Sequence, residues 1–213
     1  MVKSPAVTPA TSGSKPQSGN ARGRQRRDRI LEAALDVGVR QGIGQLSLQD
    51  VADAAGVAKS VVLYYFVDRA GLMSALAART VQPLLAAHAL LAETTGDPRE
   101  HLNRWLAAMF QIGADERRIW LAYVALLSEG TERAPRATLR ACDQQAARAM
   151  ADLLLRGHQQ YCWHAPDAPR AATLVRALVD GMLLESVRNS DLAVATRMYA
   201  LCRGAVLDLL VRR

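Results

Sequence analysis

Apolar residues recur along this chain at intervals of three and four, the period of a helix that buries one face, and rarely in the strict alternation of a half-buried strand. Ile30, Leu31, Ala34, Leu35 and Val37 mark a first such face, which starts at about Arg26 and is closed by Gly42 and Gly44. Ser47 opens a second helix. Asp50 completes a Ser-x-x-Asp capping box with it, and Leu48, Val51, Ala52 and Ala55 form the apolar stripe. Ala55-Gly56-Val57 predicts a tight turn, since glycine takes positive φ at little cost. A third helix is expected from about Ala58 to Tyr65, and Asp68 caps a fourth that runs to about Leu91. Further starts are expected at Asp97-Pro98, Asp115, Ala134-Pro135, Asp167 and Ser190, with Gly130 and Gly157 as stops. The pattern gives an all-α chain of about nine helices, with no strand and no repeat of solenoid length.

Composition adds to this picture mainly through charge. The chain has 213 residues, half of them hydrophobic, which is enough to bury a sizeable core. Residues 1–24 are rich in Ser, Pro, Gly and Thr and are expected to form a disordered basic arm. Residues 1–29 hold seven basic groups and one acid, whereas the remaining 184 residues carry 20 basic and 19 acidic groups. A basic arm on a near-neutral body suggests a polyanion partner, nucleic acid before an acidic surface, while a solubilising tail would look the same. No stretch has the length and apolarity of a membrane span and the N-terminus lacks a secretory apolar core, so a cytoplasmic location is expected. Cys142, Cys162 and Cys202 are too few and too scattered for a disulfide framework, and buried reduced thiols are expected.

Two short helices joined by a glycine turn, over residues 47–65, make a helix-turn-helix, a unit that sets its second helix into the major groove. The longer string Ile30-Leu31-x-Ala33-Ala34, Gly42, Ser47-Leu48-x-x-Val51-Ala52-x-x-Ala55-Gly56-Val57 and Tyr64-Tyr65-Phe66-x-x-Arg69-x-x-Leu72 resembles the DNA-binding domain of the TetR family of transcriptional regulators. That resemblance implies a three-helix reading head over residues 25–72 and a helical ligand-binding and dimerisation bundle over 73–213. It places Lys59 and Ser60 at base edges, where a lysine donates to guanine. It places Tyr64, Tyr65 and Arg69 at phosphates, and Ser47 and Gln49 at secondary contacts. Two positions depart from the family pattern. Ala58 stands in place of the usual Ser or Thr cap, and Leu63 in place of a phosphate-contacting tyrosine, for which Tyr64 substitutes. Residues 30–72 hold three basic and five acidic groups, so phosphate attraction has to come from Arg22, Arg24, Arg26 and Arg27 in the arm.

In the second half, Trp120-Leu121-Ala122-Tyr123-Val124-Ala125 and Ala177-Leu178-Val179-Asp180-Gly181-Met182 are similar to the choline-responsive branch of the same family. Trp105, Met109, Phe110, Trp120, Tyr123 and Met150 suit a ligand pocket, and suit plain core packing equally well. Asp180, turned inward, would favour a cationic effector. Leu174, Leu178, Gly181 and Met182 on the eighth helix and Tyr199, Cys202 and Val206 on the ninth are expected to form a four-helix homodimer seam.

The rival class is an all-α protein that does not bind DNA and carries a metal or small-molecule site, as an enzyme or a sensor. His158, Cys162 and His164 have metal-like proximity. No Gly-rich phosphate loop, nucleophile elbow or His-Glu-x-x-His motif is present, so neither a catalytic residue nor a cofactor is assigned, and a double-stranded operator, a small effector and a second copy are the expected partners.

Overall fold

Capping side chains set the starts of four helices. In the computed structural model, which describes residues 18–111, 113–128, 133–189 and 192–211, Ser47 Oγ accepts from the Asp50 amide, Asp68 Oδ1 from Gly71, Asp97 Oδ1 from Arg99 and Asp167 Oδ1 from Arg170. The described residues form nine helices: α1 Ser18–Gln41, α2 Leu48–Ala55, α3 Lys59–Phe66, α4 Arg69–Ala89, α5 Pro98–Phe110, α6 Ala114–Ser128, α7 Arg133–Gln159, α8 Ala168–Arg188 and α9 Leu192–Val211. A 3-10 turn, Ile43–Gln45, links α1 to α2.

Two boundaries differ from expectation. The first helix starts at Ser18, so residues 18–24 of the supposed disordered arm are helical. Beyond Pro16 the run Ala-Arg-Gly-Arg-Gln-Arg-Arg contains good helix formers and no proline, and it extends a helix already anchored by Ile30 and Leu31. The rest of the arm, residues 1–17, lies outside the described residues, as do Gly130 and Ser190. Gly157, expected as a stop, is buried inside α7. A Cβ there would lie 2.1 Å from Trp163 Cζ2, so glycine is needed for packing, not for termination.

Helices α1 to α3 and the start of α4 enclose Ile30, Leu35, Ile43, Leu46, Val51, Val62 and Phe66. α4 then continues into the larger bundle, where Leu76, Val81 and Leu84 join the apolar side chains of α5 to α9 in one continuous core. Its longest partner is α7, and α8 packs between α7 and α9. Among the described residues no single helix is long and apolar enough to cross a membrane.

Candidate nucleic-acid interface and ligand cleft

The helix-turn-helix corner is held by backbone geometry. Gly56 takes the left-handed conformation that ends α2 (φ 62°, ψ 40°), and its amide donates to Ala52 and Asp53. Ala58 caps α3 without a side-chain hydrogen bond, as the departure from the family pattern implied. At the far end Val67 has φ 66°, a strained value for a β-branched residue, and Gly71 approaches so closely that a Cβ would lie 2.0 Å from the Phe66 carbonyl oxygen. These two positions fix the angle at which α3 leaves α4.

Lys59 and Ser60 are exposed in the first turn of α3, and Tyr64 is 80% exposed on its outer side. Tyr65 is half-buried, edge-on to Tyr64 at 5.1 Å, and its hydroxyl reaches toward Gly23 of α1. Gln49 is exposed but donates to Asp53 Oδ1 at 2.8 Å. Arg22, Arg24 and Arg26 project from the first turns of α1 into solvent. Arg27 is half-buried, with its guanidinium 5.1 Å from the centre of the Phe66 ring.

Two of the expected contact residues also have structural duties. Arg69 donates through Nε to the Leu46 carbonyl at 3.0 Å and through one terminal nitrogen to the Gly44 carbonyl at 3.0 Å, tying the start of α4 to the turn before α2. These bonds brace the corner, whatever else the guanidinium meets. The Ser47 hydroxyl donates to Asp50 Oδ2 at 2.6 Å, so its proton is committed to the cap.

Of the aromatic and sulfur residues suited to a pocket, Trp120 and Tyr123 form a wall, edge-on at 5.4 Å. On one side lies a small cavity of about 50 Å³ bounded by α4, α5 and α6, which Met109 also lines. On the other lies an open cleft of about 360 Å³ between α6, α7 and α8, lined by Trp120, Tyr123, Leu127, Leu139, Leu184 and Val187 with Arg140, Asp143, Asp180 and Gly181. Trp105, Phe110 and Met150 line neither space. Trp105 is buried beside His88, Phe110 packs against Tyr199, and Met150 is fully buried, so all three are core. Periodicity could not distinguish these from wall residues, because core and pocket share the inward face of the same helices.

The Asp143 carboxylate, which lines the cleft, is bonded by Arg176, which does not line it. The apolar surroundings raise the Asp180 carboxyl above its usual range, with Arg176 opposing and Asp143 reinforcing the shift. Burial, and then Cys142, Asp143 and Asp180, hold the Tyr123 hydroxyl well above its ordinary value, so it remains a hydrogen-bond donor. Asp143, Arg140 and Arg176 were not singled out from the sequence; in a chain with 27 basic residues an isolated arginine carries no signal.

The outer face of the last two helices is also displaced from expectation. Cys202 and Val206 are fully buried, and Tyr199 is half-buried against Phe110. What faces outward on α9 is Leu201, Gly204 and Val211. On α8 Leu174, Gly181 and Leu184 are exposed, while Leu178 and Met182 pack partly against the core. His158 and His164 stack edge-on at 5.6 Å while the Cys162 sulfur lies near Asp97, and the described residues contain no group of three or more that could hold a metal.

Two family models match the chain: bacterial regulatory proteins of the tetR family over residues 30–76, and the C-terminal domain of BetI-type transcriptional repressors over residues 98–211. The regulator BetI of Pseudomonas aeruginosa is 28% identical over 171 residues, covering 78% of this chain and 83% of the relative. A putative regulator from Saccharomonospora viridis, solved in complex with choline, superposes with a TM-score of 0.75 at 22% identity, covering 89% of this chain and 99% of the other. A putative TetR-family regulator from Rhodococcus sp. gives 0.72 at 25% identity, with 87% and 98% covered. The exposed helix-turn-helix, the bundle behind it and both family matches agree: the chain belongs to the TetR family of transcriptional regulators, with a BetI-type C-terminal domain.

Proposed function

We propose that this regulator is a cytoplasmic repressor that binds a palindromic operator as a homodimer and answers to a small cationic effector. The reading rests above all on the surface of α3, where Lys59, Ser60 and Tyr64 stand exposed beside the helical arginines Arg22, Arg24 and Arg26. Lys59 and Ser60 are the base readers, and Tyr64 with the α1 arginines holds the phosphates. Gln49 and Tyr65 contribute from the edges. The head ends near residue 72, within α4, and the remainder senses and dimerises.

The second copy is the occupant of the α8–α9 face. Leu174, Leu184, Leu201 and Val211 are exposed there, and a Cβ at Gly181 or Gly204 would meet nothing within 4 Å, leaving room for a close helix crossing. For the effector, the Asp180 carboxylate and the faces of Trp120 and Tyr123 suit a cation, while Asp143 is paired with Arg176. Choline, bound in the Saccharomonospora viridis regulator, is such a cation.

Selection of duplexes from a random library tests the reading. The wild type should enrich two half-sites in inverted orientation, and Lys59→Ala should lose about 1–3 kcal/mol of discrimination at one base pair in each. Enrichment of no common sequence, or a Lys59→Ala variant with the wild-type preference, contradicts it.

A further inference from the structure

The cleft between α6, α7 and α8 is lined by three charged residues, Arg140 and Asp143 from α7 and Asp180 from α8, and Arg176 of α8 stands behind them. Two of these charges cancel, since Arg176 bonds to Asp143. The other two do not. Among the described residues neither Arg140 nor Asp180 forms a hydrogen bond or an ion pair, with each other or with any other group. Arg140 also lines an adjoining hollow together with Arg133 and Arg136, so the α7 wall of the cleft is cationic where the two meet. Asp180 lines the cleft from α8, beside Gly181 and Leu184.

A lone cation needs only Asp180 and the aromatic wall. It would leave Arg140 facing the ligand with five donors and no acceptor, and would feel the repulsion of the arginine cluster. A molecule with a second, anionic group can pair with both Asp180 and Arg140, which line the same cleft from α8 and α7. We infer that the effector is a small zwitterion, whose cationic nitrogen sits against Asp180 and the faces of Trp120 and Tyr123 while its carboxylate or phosphate is held by Arg140 with Arg133 and Arg136 behind it. This rests on the effector reading of the cleft and narrows it from a cation to a cation joined to an anion. A guanidinium suits the anionic end because its paired donors match a carboxylate or a phosphate bidentately.

The test uses titration calorimetry on the full chain with choline, phosphocholine and trimethylammoniobutyrate. All three carry the same cationic head, and only the last two carry an anion. At least one zwitterion should bind about tenfold or more tighter than choline, the size expected of one charge-assisted pair. Arg140→Gln, at an exposed position, should remove that advantage while choline binds no more weakly than to the wild type, since a repelling charge is lost, with circular dichroism confirming the fold. Asp180→Asn should weaken all three. If choline binds as tightly as both zwitterions, or if Arg140→Gln keeps the zwitterion preference, the inference fails while the cationic-effector reading stands. If none of the three binds, both fail.

Discussion

His88 is a buried imidazole on α4 whose Nδ1 has no hydrogen-bond partner, next to Trp105, whose Nε1 also has none. Burial first, and then the charge of Arg176, lower its pKa from 6.5 to about 4, with Asp143 opposing. The folded state therefore resists protonating a group that the unfolded chain protonates readily below pH 6.5. Its contribution to stability is complete above that pH and is lost as pH falls toward 4. One such proton adds a slope of at most about 1.4 kcal/mol per pH unit across this window. Urea unfolding at several pH values should thus give a shallower acid limb for His88→Leu than for the wild type, and superimposable limbs would contradict the assignment. The same scale shows why single-residue roles were only partly legible. Lys59 and Tyr64 stand where the family string puts them, but nothing in the sequence distinguishes an arginine that meets phosphate from Arg69, which meets the carbonyls of Leu46 and Gly44.

At the scale of elements, α6 has two duties. Its Trp120 and Tyr123 form the cleft wall, and Arg118 on the same helix binds Glu32 at 2.8 Å and also Asp36, both on α1 of the reading head. Arg79 of α4 binds the same Glu32 at 2.8 Å. These pairs are partly exposed, so their contribution to global stability should be modest, on the order of 1 kcal/mol or less. Their position is what matters, because any shift of α6 on ligand entry would be felt by α1 through them. Arg118→Ala should keep effector affinity and lose most of the effector's influence on operator affinity. Operator titration with and without effector checks this, and an unchanged effector response would place the coupling elsewhere. Helix starts with Asp caps were readable from the sequence, but the phase of α9 was not. α9 carries apolar residues on most of its circumference, so periodicity did not separate Cys202, expected at the seam, from Leu201, and packing against α5 and α8 turns the first inward. The extra turns of α1 were hidden for a related reason, since a composition typical of a loose tail also contains enough good helix formers to extend an anchored helix.

At the scale of the whole molecule, charge and sequence reading are divided between helices. The head over residues 30–72 is net acidic, so on the proposed reading the attraction to phosphate comes from the basic first turns of α1, and base selection from α3. Because Arg22, Arg24 and Arg26 stand on a helix rather than a free tail, their removal is best made by substitution, which leaves α1 intact. The most direct measurement is affinity for a selected operator and for a scrambled duplex across a salt series, with the wild type and with Arg22, Arg24 and Arg26 all changed to glutamine. Each phosphate neutralised contributes about −0.9 to the slope of log K against log salt, so the triple variant should flatten the slope by roughly two to three per subunit and keep its preference for the operator. A wild type that binds both duplexes equally, or a slope unchanged by the triple substitution, would contradict the account.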